Sequence, residues 1–85
     1  MSVDEVVHPG ELIRDTLTAR GMTQKALADA TGLTPKHISR VVRGLSGIGT
    51  LGATQIGEVL DISPRLLIRM QADYDVVHCK PRSRI

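Results

Sequence analysis

Apolar residues recur at intervals of three and four along most of the chain, in five segments separated by glycine, proline and capping residues. Such spacing places apolar side chains on one stripe of an α-helix, where they can face a common core. The predicted fold is all-α, a compact five-helix bundle in one domain, 1–78, followed by a basic tail, 79–85, expected to be mobile. The predicted helices cover residues 9–20, 23–31, 34–43, 50–60 and 64–75.

Residues that favour helix ends stand at the predicted boundaries. Pro9 fits a first helical turn because its missing N–H would have no partner there. Thr23 and Thr34 are good N-caps, while Gly21 and Gly32 can end helices in the left-handed conformation. The second and third helices are therefore separated by a short turn around Gly32, which is a helix-turn-helix pattern.

The interior of the predicted bundle must be aliphatic, because the chain contains one Tyr and neither Phe nor Trp. We expect the second helix to turn Ala26, Leu27 and Ala30 inward, with the small alanines allowing close approach of another helix. Ile38 and Val41 form the corresponding inner face of the third helix. The fourth helix contains two glycines, which weaken it. Its predicted apolar face consists of Leu51, Ile56, Val59 and Leu60.

The formal net charge is only +2, but the middle of the chain is a purely basic region. Lys36, Arg40 and Arg43 stand in the stretch 36–57, which contains no Asp or Glu. An uncompensated positive region suits a polyanionic partner such as nucleic acid. The same charges would also suit a solvated helix face, so charge alone leaves both interpretations open and the surrounding motif must decide.

The outward residues of the third helix are of the types that read base edges in the major groove. Thr34, Pro35, Lys36 and His37 lie at its leading end, and Arg40 lies one turn further along the same face. Lys36 and Arg40 can donate to N7 and O6 of guanine, and Arg can do so in a bidentate manner. Pro35 offers only an apolar contact, such as one to a thymine methyl group.

Three further residues are predicted to contact phosphates rather than bases. Gln24 begins the second helix, where its side chain and the backbone N–H groups can both meet a phosphate. Lys25 and Arg43 are also better placed for phosphates. The motif therefore predicts a sequence-specific protein whose partner is double-stranded DNA. An interaction module that used the motif only as a scaffold would not need the charged third helix.

The run TQKALADATGLTPKHISRVVRG resembles the helix-turn-helix of the Xre/Cro family of phage and bacterial repressors. The flanking runs HPGELIRDTL and ISPRLLIRMQADYD resemble the HigA-type antitoxins of type II toxin–antitoxin modules. This resemblance implies a lambda-repressor-like domain that dimerises, binds an inverted-repeat operator, represses its own operon and neutralises a RelE-like ribonuclease toxin. The alternative is a phage or mobile-element regulator without a toxin partner. Carried over by position, the DNA-reading residues are Gln24, Thr34, Pro35, Lys36, His37 and Arg40, supported by Arg43.

A homodimer is expected because one recognition helix contacts only a few base pairs. Two such helices ~34 Å apart would read successive major grooves. The dimer interface is assigned to the fifth helix, where Leu66, Leu67, Met70 and Tyr74 share a face. The same four residues could instead belong to the core, and we expect at least two of them to do so.

Other classes of function find little support in the sequence. No apolar run approaches the ~20 residues that cross a bilayer, and the single Cys79 cannot form an internal disulfide, so a cytoplasmic protein is expected. His78 and Cys79 are adjacent, a poor spacing for chelation, and no metal or other cofactor is predicted. The acidic residues do not pair with His, Ser or Cys in a nucleophile arrangement, so an enzyme is not expected.

Overall fold

The computed structural model describes residues 7–78, which form five α-helices and, within that range, no β-strand. The predicted all-α, five-helix fold is confirmed, while the predicted mobile tail at 79–85 lies outside the described residues. The helices are α1 (Pro9–Arg20), α2 (Gln24–Thr31), α3 (Pro35–Val42), α4 (Thr50–Leu60) and α5 (Pro64–His78).

Local capping chemistry sets the ends of the first three helices. Thr23 Oγ1 accepts a hydrogen bond from the Ala26 N–H at 3.0 Å and so caps α2. Gly21 and Gly32 follow α1 and α2 in the left-handed conformation, with φ of 65° and 80°. His8 caps α1, which was not predicted, since its Nδ1 accepts a hydrogen bond from the Gly10 N–H at 2.9 Å.

One aliphatic core joins all five helices. α1 packs against α3, α4 and α5, α2 packs against α3 and α4, and α4 packs against α5. Its largest fully buried side chains include one or more from every helix, so no helix can be removed without opening the core. They are Pro9, Ile13, Leu27, Ile38, Val41, Ile56, Leu60 and Leu67.

Two predicted inner faces are partly wrong. In α2 the buried alanine is Ala28, at 1% exposure, and Ala30 is exposed. In α4 Leu51 is 69% exposed, whereas Ala53 is fully buried. Leu51 lies nine residues before the buried Leu60, or roughly two and a half helical turns, so it must point to the opposite side of the helix.

The fifth helix is longer than predicted and its inner face is only partly as expected. It continues to His78, the last described residue. Leu67 is fully buried and belongs to the core, as expected for at least two of the four residues that are also assigned to a dimer interface. Met70 and Tyr74 are half-buried, and Leu66 is 45% exposed. Of the four residues, Leu66 is therefore the one most available to a second molecule.

The end of α4 provides a test of backbone strain. Asp61 caps this helix with φ of 59° and ψ of 42°, a left-handed conformation that residues with a Cβ adopt at a cost. We expect Asp61→Gly to raise the free energy of unfolding by about 0.5–1 kcal/mol in urea titrations. The control Ala30→Gly, at an exposed helical position, should lower it by about 1 kcal/mol. A change of the same sign in the free energy of unfolding of both variants would contradict this interpretation.

Candidate nucleic-acid interface

The turn between α2 and α3 is held by a buried hydroxyl as well as by glycine. Thr31 Oγ1 donates to the Leu27 carbonyl oxygen at 2.8 Å, and the Leu33 N–H donates to Thr31 Oγ1 at 3.3 Å. Gly32 lies between them with φ of 80°. These bonds tie the last turn of α2 to the start of α3, and Leu33 packs against the core. The relative position of the two helices is therefore fixed by local contacts.

The burial pattern of α3 determines which of its side chains face solvent. Ile38, Val41 and Val42 are at most 5% exposed and attach one side of the helix to the core. Lys36 and Arg40, four residues apart, are exposed on the opposite side. The aliphatic side faces the core, so the outward side of α3 presents the basic residues Lys36 and Arg40, as the charge pattern predicted.

The leading end of α3 combines a cap with accessible side chains. Thr34 Oγ1 accepts from the His37 N–H at 3.1 Å, which leaves the hydroxyl proton free to donate elsewhere. Thr34 and Pro35 are exposed, and His37 is half-buried. This end can offer a hydroxyl donor and an apolar ring edge to a groove, and Lys36 adds a charge beside them.

The phosphate contacts predicted for α2 involve its first two residues. Gln24 is the first residue of the helix and is half-buried, while Lys25 is exposed. The positive end of the helix dipole lies here, so an anion would be stabilised at this position.

Arg40 is not a free side chain, which the sequence did not reveal. Its Nε donates to Ser46 Oγ at 3.3 Å and its Nη2 donates to the Leu45 carbonyl oxygen at 3.4 Å. Both acceptors lie in the connecting loop, residues 43–49, which joins α3 to α4. No local sequence pattern predicts such a contact, because it depends on how the loop folds back after Gly44, whose φ is 76°.

Arg43 lies at the end of α3 and faces a different surface from that of Arg40. It is exposed and lines a pocket of about 370 Å³ between α1, α3 and α5, to which Arg14 also contributes. Arg14 adds a second guanidinium to this pocket, beside the carboxylate of Glu11, and the sequence did not predict this placement because it depends on how α1 packs against α3. The pocket is lined by His8, Glu11, Arg14, Val42, Arg43, Gly44 and Tyr74.

The charges of α3 are not neutralised within the part of the chain that the structure describes. Among residues 7–78, the one ion pair within 4.0 Å joins Arg14 Nε to Asp15 Oδ1, at 3.9 Å on α1. Within these residues, no carboxylate therefore lies within 4.0 Å of the side-chain nitrogens of Lys36, Arg40 or Arg43. Residues 7–78 contain no group of three His, Cys, Asp or Glu side chains arranged to hold a metal ion. None of their helices is long and apolar enough to cross a membrane.

His8 connects this surface to the rest of the fold. It is 5% exposed, and its ring meets Tyr74 edge-on with centroids 4.8 Å apart. Burial lowers the pKa of His8, against the opposing influences of Asp75, a hydrogen bond with the Ser46 backbone, and Glu11. The neutral ring is also the form that its cap requires, since a protonated Nδ1 could not accept from the Gly10 N–H.

The lowered pKa of His8 makes stability depend on pH. Below the ordinary value of 6.5, the unfolded chain binds more protons than the folded one, so stability falls as pH drops through that value and levels off below the folded pKa. The slope is at most about 1.4 kcal/mol per pH unit.

Urea titrations between pH 7.5 and 5.5 should show this slope in the wild type. His8→Asn, which keeps a capping side chain, should flatten it, and an unchanged slope would contradict the assignment. The control His37→Asn should retain the slope.

The chain matches the family model described as helix-turn-helix over residues 13–67, a range that includes all of α2, α3 and α4. Virulence-associated protein I of Dichelobacter nodosus is 31% identical over 71 residues, which are 82% of this chain and 66% of that protein. The chain therefore spans just under two thirds of that relative's length.

Two solved structures share the fold. The antitoxin HigA of Pseudomonas aeruginosa, solved with the higBA promoter, superposes with a TM-score of 0.80 at 28% identity, covering 86% of this chain and 80% of that chain. The restriction-modification controller protein C.AhdI of Aeromonas hydrophila gives 0.66 at 31% identity, covering 75% and 97%. These matches confirm the resemblance to Xre/Cro proteins and HigA-type antitoxins. The chain belongs to the helix-turn-helix family.

Proposed function

We propose that this protein is a sequence-specific repressor that places α3 in the major groove of its own operator. The observation that supports this most directly is the outward side of α3, where Lys36 and Arg40 are exposed and no carboxylate of residues 7–78 lies within 4.0 Å of them. A base-reading helix needs donors that are free to reach base edges. The likeness to HigA, which was solved with the higBA promoter, supports the same role.

The residues of this surface divide into two proposed roles. Lys36 and Arg40 donate to base edges, and Thr34, Pro35 and His37 contact the same groove from the leading end of α3. The remaining residues contact the phosphate backbone and set the position of the protein on DNA. These are Gln24, Lys25 and Arg43.

The proposed repressor acts as a homodimer that reads an inverted repeat. The outer side of α5 supports this, because Leu66 is 45% exposed and Met70 is half-buried beside it, one helical turn away. Leu66→Arg should then give a monomer in light scattering at micromolar concentration. Ile68→Arg, a matched change at an exposed residue of the same helix, should leave the dimer intact. A wild type that is monomeric both free and with operator would contradict the dimer.

DNA binding can be tested with duplexes covering the DNA upstream of the protein's own coding region. We expect fluorescence anisotropy to show selective binding over a shuffled duplex of the same composition. Footprinting should show two protected half-sites about 34 Å apart. Equal affinity for the two duplexes at physiological salt would contradict the proposal, since phosphate contacts alone do not distinguish sequence.

We further propose that the protein is the antitoxin of a type II module and neutralises a RelE-like ribonuclease. Its support is the likeness to HigA over 86% of the chain. The alternative, a regulator without a toxin, is supported by the likeness to C.AhdI, a restriction-modification controller protein. Co-expression with the adjacent open reading frame separates them. An antitoxin should restore growth and co-purify with the frame's product, whereas no rescue and no complex would favour the alternative.

A further inference from the structure

A buried glutamine on α5 connects that helix to the connecting loop. Gln71 is 9% exposed, and its Oε1 accepts from the Ile48 N–H at 3.0 Å, although the two residues are 23 positions apart in sequence. Its Nε2 donates to Asp75 Oδ1 at 2.8 Å, one turn further along α5. Both ends of the amide are thus engaged, as a buried amide requires.

The direction of the Gln71 amide follows from the chemistry of its neighbours. A carboxylate accepts hydrogen bonds, so the NH₂ group of Gln71 faces Asp75. The backbone of Ile48 presents an N–H, so the oxygen must face the loop. Asp75 therefore orients Gln71, and Gln71 in turn holds one defined atom of the loop.

The same glutamine restrains the middle of the loop by packing. A Cβ built on Gly47 would lie 3.3 Å from Gln71 Cδ, so the loop backbone rests directly against the amide. The Ile48 side chain is 6% exposed and is part of the core. The segment 47–48 is therefore fixed from two sides, and Ser46 and Leu45 immediately precede it.

The other side of the loop holds Arg40. Ser46 and Leu45 accept along the guanidinium edge formed by Nε and Nη2. The end edge, formed by Nη1 and Nη2, keeps two parallel N–H groups, which is the geometry that matches N7 and O6 of guanine. At 3.3 and 3.4 Å these two bonds are long and exposed, so they orient Arg40 only as well as the loop itself is held.

We propose that Gln71, oriented by Asp75, is a positioning residue for base reading that acts through the connecting loop on Arg40. The inference rests on the proposed role of Arg40 in DNA binding. It assigns a function in recognition to a side chain that lies on α5, outside the helix-turn-helix.

The test uses the full chain and a duplex selected from a randomised pool by the wild type, together with duplexes in which each G·C pair is replaced in turn. Gln71→Met keeps the length and burial of the side chain but removes both hydrogen bonds. We expect about a tenfold loss of affinity for the selected duplex and a smaller discrimination at the base pair that Arg40 reads. Affinity for a shuffled duplex should stay within about twofold.

Two controls separate positioning from a general loss of structure. Gln55→Met makes the same change at a half-buried glutamine of α4 whose Oε1 has no hydrogen-bond partner, and it should leave discrimination unchanged. In the background of Arg40→Ala, Gln71→Met should cause no further loss of affinity for the selected duplex. The effects of two substitutions are not additive when one residue acts through the other. Hydrogen exchange at the Ile48 amide should accelerate in Gln71→Met.

The proposal is overturned if Gln71→Met weakens binding to the selected and shuffled duplexes equally. It is also overturned if Gln71→Met lowers affinity for the selected duplex by the same factor in the wild type and in Arg40→Ala. If Gln71→Met does not fold, Ser46→Ala answers the same question, since it removes the acceptor for Arg40 Nε from a half-buried loop residue. It should reduce discrimination at the same base pair, and unchanged discrimination would overturn the proposal. Failure of the proposed function is distinguishable, because the wild type would then select no duplex.

Discussion

Replacing Arg40 by alanine is expected to reduce the affinity for operator DNA by roughly 100-fold or more while leaving the circular dichroism of the helices intact. Arg40 is exposed on the outward side of α3, opposite the buried Ile38 and Val41. A bidentate contact to guanine discriminates bases by about 1–3 kcal/mol. A two-fold repressor would lose this contact in both half-sites, which doubles the cost.

The fold should tolerate this change because Arg40 contributes little to it. Its two hydrogen bonds to the connecting loop are long and exposed, and such contacts at a surface are worth no more than about 0.5 kcal/mol. Titration by fluorescence anisotropy against the upstream duplex would measure the loss, and urea denaturation would check the stability. Unchanged operator affinity would contradict the assignment of α3 as the reading helix.

Two comparisons make the interpretation specific. Arg20→Ala removes the same side chain from the exposed last turn of α1 and should change operator affinity only slightly. Arg43→Ala should weaken binding to operator and shuffled duplexes alike and reduce the salt dependence, because a phosphate contact is not sequence-specific. Arg40→Ala should instead reduce the difference in affinity between the operator duplex and the shuffled duplex. If Arg43→Ala reduced this difference in affinity more than Arg40→Ala does, the roles of the two arginines would be exchanged.

The helices and most of their ends could be predicted because their causes are local. Thr23, Thr34, Gly21 and Gly32 act within a few residues of themselves, and each occupies the predicted place. The errors fall where the signal is weak. Alanines contribute little to an apolar stripe, so the sequence predicts Ala30 on the inner face, whereas the structure buries Ala28, which lies three residues before the buried Thr31.

The candidate site was predictable in its residue types but not in its geometry. The sequence shows the spacing of Ile38 and Val41 directly, and this spacing predicts that the basic side chains of α3 are exposed on the opposite side of the helix. The contacts that orient Arg40 do not follow from this spacing, because they depend on a loop that α5 holds from 23 positions away through Gln71. Such long-range contacts leave no periodic trace, since a buried glutamine in a helical stripe looks like an interruption of the stripe.

The two glycines of α4 are expected to respond to alanine with opposite signs. Both look like weak points in sequence, since each costs a helix about 1 kcal/mol relative to alanine. Gly52 has room, because a Cβ there would meet only Ile48 Cγ1 at an ordinary 3.5 Å. Gly52→Ala should therefore raise the free energy of unfolding by about 0.5–1 kcal/mol and Tm by roughly 3–6 °C.

Gly57 is needed for the close approach of the connection between α4 and α5. A Cβ there would overlap the Ile62 carbonyl oxygen and lie 3.1 Å from Pro64 Cγ. The connection cannot easily withdraw, because the Ile62 N–H donates to the Gly57 carbonyl oxygen at 2.9 Å. Gly57→Ala should lower the free energy of unfolding by about 2–3 kcal/mol, beyond its gain in helix propensity, and Tm by roughly 10–20 °C.

Thermal and urea denaturation of Gly57→Ala beside Gly52→Ala, in the same helix and buffer, would measure both effects with one matched substitution. Two stabilised variants would show that α4 and its connection separate to admit a methyl group. Two destabilised variants would show that Gly52 also faces a contact that a methyl group cannot share. The expected opposition follows because helix propensity acts at both positions, whereas backbone contact acts at Gly57 alone, and overlap with backbone atoms outweighs propensity.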